Sequence, residues 1–204
     1  MKSRSSIAPL SLVLTIILLV LPAHVAHGQS PEGETQVLST TQGLFLSPHF
    51  AGGAVSNGDT FSGAGGGIKL GYGFSPLFTL YAGFNFVRLD NDSPVTSDLA
   101  HLDIGGQFNF RVGEAAFVPY LDAALSGVGI FDEFQGESLE TTGGGLSVGG
   151  GFKYFLQRNI AIDIGLQLGF MSLQEISSGG QSVDIDESIS TARFNLGLSW
   201  FPMR

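Results

Sequence analysis

The sequence of 204 residues has no cysteine and few charged residues. The lack of cysteine excludes disulfides and lipid attachment to a thiol. Charged residues make up 13% of the chain, against about 25% in ordinary soluble domains. Lys and Arg number 9 against 18 Asp and Glu, a net charge of −9 that argues against nucleic acid as a partner. Such a shortage of surface charge would be unusual for a water-soluble fold.

The sequence also lacks an apolar run long enough for a membrane-spanning helix. Its longest such run covers residues 10–21, whereas a spanning helix needs about 20 residues. Lys2 and Arg4 precede the run, and the small residues Ala26 and Gly28 follow it. This order predicts a secretory signal peptide over residues 1–28, with a buried helix or a retained anchor as the alternative. The polar residues 29–42 are expected to form a flexible leader before a single domain over residues 43–204.

What the chain has instead is alternation with a period of two. In AHLDIGGQFNFRV (100–112), one parity is almost entirely apolar and the other carries His101, Asp103 and Arg111. Successive side chains of a strand point to opposite faces, so the pattern predicts a strand with one apolar and one polar face. Eight segments show it, each long enough to cross a bilayer at a tilt: 43–55, 63–73, 77–88, 99–112, 117–129, 144–155, 160–171 and 188–201.

The connections between these segments alternate between short and long. Short turns are expected at residues 74–76, 113–116 and 156–159, and long polar loops at 56–62, 89–98, 130–143 and 172–187. This pattern is typical of an all-β, transmembrane, up-and-down antiparallel barrel with eight strands and periplasmic turns.

Volume decides which parity faces inward. The interior of an eight-stranded barrel is only just filled by side chains, and the apolar parity contains many large residues. The other parity is rich in glycine, which leaves room for charges that must pair when buried. We therefore predict that the apolar parity faces lipid and that the lumen holds an ionic network of Lys69, His101, Asp103, Arg111, Asp122, Lys153, Asp163 and Arg193. If residues 156–159 make a tight turn, Lys153 and Asp163 lie opposite each other and form a salt bridge.

Aromatic residues near the strand ends, including Trp200 and Phe201, are expected in a girdle at the turn rim.

Three stretches resemble the small OmpA/OmpX-type eight-stranded outer-membrane barrels: FVPYLDAALSGVG, GGGFKYFLQRNIAIDIGLQLGF and ARFNLGLSWF. The resemblance covers residues 43–201. It implies insertion by the barrel-assembly machinery, which in that family recognises an alternating last strand that ends in an aromatic residue. The residues that match this assembly signal are Phe194, Leu196, Leu198 and Trp200, although the chain continues to Arg204.

The long loops carry the acidic residues Asp59, Asp90, Asp92, Asp98, Asp132, Glu133, Glu137, Glu140, Glu175, Asp184, Asp186 and Glu187. We expect a structural or envelope-integrity role, or a surface-interaction role through these acidic extracellular loops. Outer-membrane lipid and lipopolysaccharide are the expected surroundings, and the barrel is expected to be a monomer. A solvated, mutually repelling loop surface accounts for the same charges without any ligand.

Three other functions are consistent with parts of the pattern. A narrow passive channel is the first alternative, although lumens of this size are usually filled. A lipid-modifying enzyme is less favoured because no Ser, His and acid cluster lies on the lipid-facing parity. A soluble lipocalin-like binder is the third. The sequence predicts no catalytic residue, metal site or cofactor.

Overall fold

The computed structural model describes residues 41–57, 59–90, 96–110, 116–134, 137–178 and 181–202. These residues form eight strands: β1 (Gly43–Asn57), β2 (Asp59–Gly73), β3 (Phe78–Leu89), β4 (Thr96–Asn109), β5 (Phe117–Phe134), β6 (Glu137–Gln157), β7 (Ile160–Ser178) and β8 (Gln181–Trp200). No described helix is long and apolar enough to cross a membrane.

The strands form a closed antiparallel barrel in chain order, which confirms the predicted fold class. Each strand pairs with the next one along the chain. The barrel closes where β1 pairs with β8, between Leu46↔Trp200 and Ser56↔Ser190. Closure leaves no free sheet edge within the part of the barrel that these pairs span.

Strands β5 to β8 are longer than the sequence pattern indicates. Residues 56–62, 130–143 and 172–187 were expected to be loops, but most of them belong to paired strands. The alternation is hard to recognise there because polar and small residues outnumber the apolar ones in these segments. Register shifts at Thr142/Gly143 and Leu173/Glu175 also break the parity. These extensions protrude on one side of the barrel, which we call the long-hairpin rim; the opposite side is the short-turn rim.

The apolar parity faces outward along the whole barrel. Exposed large side chains include Leu80, Phe84, Phe108, Leu125, Phe170 and Leu198. The opposite parity is buried, as the strict alternation of exposure along β3 shows. The barrel therefore has its apolar surface outside, where lipid can cover it, and a largely polar interior.

The interior is not entirely polar, because an apolar cluster lies towards each rim. The long-hairpin cluster consists of Ala51, Val55, Val87, Leu89, Leu99, Val128, Met171, Leu173 and Ile189. The short-turn cluster consists of Phe45, Tyr81, Val118, Ala124, Phe155, Ala161 and Phe201. Along β8 and its end the order is Ile189, Arg193 and Phe201. The arginine thus lies between the two clusters.

Phe201 corrects one expectation about the aromatic girdle. Strand β8 ends at Trp200, which is exposed, whereas Phe201 turns inward and is buried. Its ring centroid lies 5.6 Å from that of Phe45 and 5.7 Å from that of Phe155. Its backbone N–H donates to the carbonyl of Asn159 over 2.8 Å, which holds the chain across the end of β7. Phe201 therefore contributes to closing the short-turn end of the lumen.

Candidate functional site

Lys153 and Asp163 lie directly opposite each other on β6 and β7. The ammonium of Lys153 donates to Asp163 Oδ2, and both side chains are buried. Asp163 also accepts hydrogen bonds of 2.9 Å from the hydroxyls of Tyr120 and Ser199. The ring of Tyr120 lies 4.7 Å from Lys153 Nζ. A buried ion pair needs such additional partners to offset desolvation, and here they come from β5 and β8.

Arg193 and Asp103 form a second pair that crosses the lumen from β8 to β4. The guanidinium donates two bonds to the carboxylate, Nη1 to Oδ2 at 2.7 Å and Nη2 to Oδ1 at 3.1 Å. Ser126 donates to Asp103 over 2.5 Å, and Arg193 donates to Ser147 over 3.2 Å. A bidentate pair of this kind is among the strongest hydrogen-bonded arrangements. It connects four strands through the barrel interior.

The third pair, Lys69 and Asp122, is looser and joins β2 to β5. The ammonium and carboxylate lie 4.0 Å apart. Lys69 Nζ also lies 4.4 Å from the ring centroid of Tyr81, and Gln167 donates to Asp122 over 3.3 Å. The three cations and three anions of these pairs balance, so the interior carries no excess charge in its described part.

His101 is buried in the same interior. Neither of its ring nitrogens has a hydrogen-bond partner among the described residues. His49 also lies inside, with Nε2 2.6 Å from Asn85 Oδ1. Arg111, the eighth residue of the predicted network, lies outside the described residues.

The seven described residues of the predicted network lie on the inward face, and the sequence pattern did not reveal how two of the pairs form. Neighbouring strands can be paired from the turn length, as for Lys153 and Asp163. Arg193 and Asp103 lie on strands that are not neighbours, so only closure of the barrel brings them together. The residues that hydrogen-bond to these pairs are Tyr120, Ser126, Ser147 and Ser199. The sequence pattern indicated only that they face inward.

The long-hairpin rim carries most of the described surface acids. Glu140, Glu175, Asp184 and Asp186 share the outward face of the β6–β8 extension, as their register partners show. Glu175 lies opposite Asp184, a like-charge pair that is unfavourable for strand pairing. No Lys or Arg occurs between Arg158 and Arg193 in the sequence. Among the described residues, Arg88 is the only Lys or Arg near this rim, and it pairs with Asp98 over 3.0 Å.

Asp59, Asp92, Glu133 and Glu137 were also expected at this rim, but their side chains lie outside the described part of the chain. The described residues include no group of three His, Cys, Asp or Glu side chains that could hold a metal ion. The interior groups can therefore pack and pair, and the rim groups can present negative charge to a partner.

The four residues of the predicted assembly signal all face outward on β8. Their exposed fractions are 47% for Phe194, 42% for Leu196, 51% for Leu198 and 48% for Trp200. They form an uninterrupted apolar stripe next to the seam between β8 and β1.

An outward apolar surface, a charge-paired interior and long hairpins on one rim define a transmembrane β-barrel of the outer-membrane type. The chain belongs to the outer membrane protein β-barrel domain family, which it matches over residues 14–200. Family membership places the protein in the outer membrane. A search of curated protein sequences gives no significant match.

Solved structures have the same fold at low sequence identity. Neisserial surface protein A (NspA) is 16% identical with a TM-score of 0.66, over 78% of this chain and 97% of that one. OprG of Pseudomonas aeruginosa is 14% identical with a TM-score of 0.55, over 80% and 98% of the two chains. Ail, the attachment invasion locus protein of Yersinia pestis, is 16% identical with a TM-score of 0.51, over 78% and 99%. These similarities establish the eight-stranded fold and no particular activity.

Proposed function

We propose that this barrel presents its acidic long-hairpin rim at the cell surface and binds cationic partners there. One observation carries the proposal: β5 to β8 continue beyond the lipid-facing surface as a paired sheet whose outward face bears Glu140, Glu175, Asp184 and Asp186. Paired strands hold these charges in fixed positions, which mobile loops would not do. The short turns would then be periplasmic, as in outer-membrane barrels generally.

The packed interior supports an interaction role over the channel that the sequence also allowed. Three charge pairs and two apolar clusters occupy the lumen along its length. Passage of an ion would require at least one buried pair to separate, which is costly in a low-dielectric interior. We propose no catalytic role, because the interior carboxylates are engaged by bases and hydroxyls.

We further propose that residues 1–28 direct export. We also propose that the barrel-assembly machinery recognises the outward stripe of Phe194, Leu196, Leu198 and Trp200. Lipopolysaccharide would surround the outer half of the barrel. The surface and attachment proteins among the structural neighbours, NspA and Ail, are compatible with this assignment.

Binding of a simple polycation tests the proposal. The barrel is reconstituted in nanodiscs of zwitterionic lipid, and fluorescent polylysine is titrated at increasing salt. We expect binding that weakens with salt and falls when Glu140, Glu175, Asp184 and Asp186 are changed to their amides. Polyglutamate and an Arg158→Gln variant are the controls. Equal binding of polylysine by the neutralised variant would refute the proposed site.

A further inference from the structure

At the long-hairpin rim, one sheet edge of β8 has no neighbouring strand among the described residues. It pairs with β7 from Ile160↔Trp200 up to Ser178↔Gln181. Its pairing with β1 stops at Ser56↔Ser190. No described strand therefore pairs with residues 181–186 on the β1 side. We call this segment the β8 edge; at about 3.4 Å per residue it is roughly 20 Å long.

The two faces of the β8 edge differ in chemistry. The inward parity carries Val183, which is 63% exposed, and Ile185, which packs partly against the long-hairpin cluster. The outward parity carries Asp184 and Asp186. A strand that joined this edge would place its side chains beside these residues on the matching faces.

We propose that the β8 edge is a docking site for an extended segment of another protein in which basic and apolar residues alternate. An unpaired strand edge offers backbone donors and acceptors to an added strand, a known mode of peptide recognition. Basic side chains of the added strand would lie beside Asp184 and Asp186, and apolar ones beside Val183 and Ile185. The inference rests on the proposed function, because it names the partner that the acidic rim would take.

Charge selects this occupant over a second copy of the chain. Two β8 edges that paired with each other would bring Asp184 and Asp186 of one copy next to the same residues of the other. Like charges in adjacent strands are destabilising. The register pair Glu175↔Asp184 already concentrates negative charge on this face. Acidic residues at an edge thus oppose self-association while they favour a basic strand.

Three peptides of equal charge test the proposal with the full barrel in zwitterionic nanodiscs. The first, Lys-Val-Lys-Ile-Lys-Val-Lys, has the required alternation. The second has the same composition with its lysines clustered at one end. The third replaces each apolar residue with proline, which removes those N–H donors and disfavours strand pairing. We expect the alternating peptide to bind at least about tenfold more tightly than the proline peptide, because the latter forms fewer main-chain hydrogen bonds.

Matched variants locate the site. Asp184→Asn with Asp186→Asn should weaken binding of the alternating peptide about fivefold, within the range expected for two cross-strand charge pairs. Asp90→Asn with Asp98→Asn removes the same charge on the β3–β4 side of the rim, away from the β8 edge, and should change binding less than about twofold. Hydrogen exchange at residues 181–186 should slow when the peptide binds.

The results of these experiments distinguish failure of the strand-docking proposal from failure of the proposed cation-binding function. Equal binding of all three peptides, with a response to salt, would overturn strand addition and leave the acidic rim as a cation-binding surface. No binding of these peptides or of polylysine would overturn both. Peptide-induced dimerisation without slower exchange at the β8 edge would also contradict the assignment.

Discussion

Asp163 accepts hydrogen bonds from three side chains that come from three different strands, and so it joins β5, β6, β7 and β8 inside the barrel. At the scale of single residues, such shared acceptors hold the interior together. Removing such an acceptor leaves its buried partners without a counter-ion or hydrogen-bond acceptor. The resulting loss of folding free energy is larger than the net contribution of the intact ion pair.

Asp163→Ala should therefore lower the free energy of unfolding by about 3 kcal/mol, because Lys153 is left buried without its counter-ion. The measurement is urea unfolding in lipid vesicles, followed by the fluorescence of Trp200, the only tryptophan in the sequence. The double variant Lys153→Met with Asp163→Leu should recover most of the loss. An unchanged unfolding midpoint for Asp163→Ala would show that the pair is not buried in the folded barrel.

Interior glycines differ in the space around them. A Cβ on Gly151 would lie 2.1 Å from the backbone oxygen of Ile164, whereas one on Gly83 would meet nothing closer than 3.9 Å. Gly151→Ala should destabilise the barrel by about 1–3 kcal/mol through overpacking, and Gly83→Ala should cost less than about 0.5 kcal/mol. Similar losses for both variants in the same unfolding assay would contradict the described packing.

At the scale of strands, the period-two pattern was sufficient to find all eight elements and their order. It located the membrane-crossing parts well, because there one face meets lipid and the other meets the lumen. It failed for residues 56–62, 130–143 and 172–187, since polar and small residues outnumber apolar ones there and such segments look like loops. Phe201 was expected in the girdle, although strict alternation after the inward Ser199 and the outward Trp200 places it on the inward face.

Phe201 gives an element-scale prediction about the end of β8. Its ring packs between Phe45 and Phe155 and is 2% exposed. Phe201→Ala should cost about 3 kcal/mol of unfolding free energy, as for other buried aromatic residues. Phe201→Leu, which retains most of the apolar volume, should cost less than about 1.5 kcal/mol. If the alanine variant unfolds like the native protein, Phe201 does not close the short-turn end.

At the scale of the whole molecule, the charge distribution separates into a neutral interior and an acidic rim. Sequence parity indicated which residues point inward, but pairs such as Arg193 with Asp103 depend on barrel closure between strands far apart in the chain. Because the interior is neutral and filled by side chains, we expect that ions do not pass through the barrel.

The refolded barrel should show no steady conductance in a planar bilayer, because side chains from both apolar clusters and three charge pairs fill the lumen. Recordings at moderate voltage and high salt should match protein-free bilayers. A refolded porin of known conductance serves as the positive control. Reproducible single-channel steps that scale with salt concentration would instead support the passive channel.

The orientation of the barrel is the central claim, and labelling of single cysteines tests it most directly. The native chain has no cysteine, so it provides an unlabelled background. Ser182→Cys lies on the exposed long-hairpin extension, and Gln157→Cys lies at the exposed short-turn rim. With a membrane-impermeant maleimide, we expect Ser182→Cys to be labelled in intact cells and Gln157→Cys only after the outer membrane is opened. Labelling of Gln157→Cys but not Ser182→Cys in intact cells would contradict this orientation.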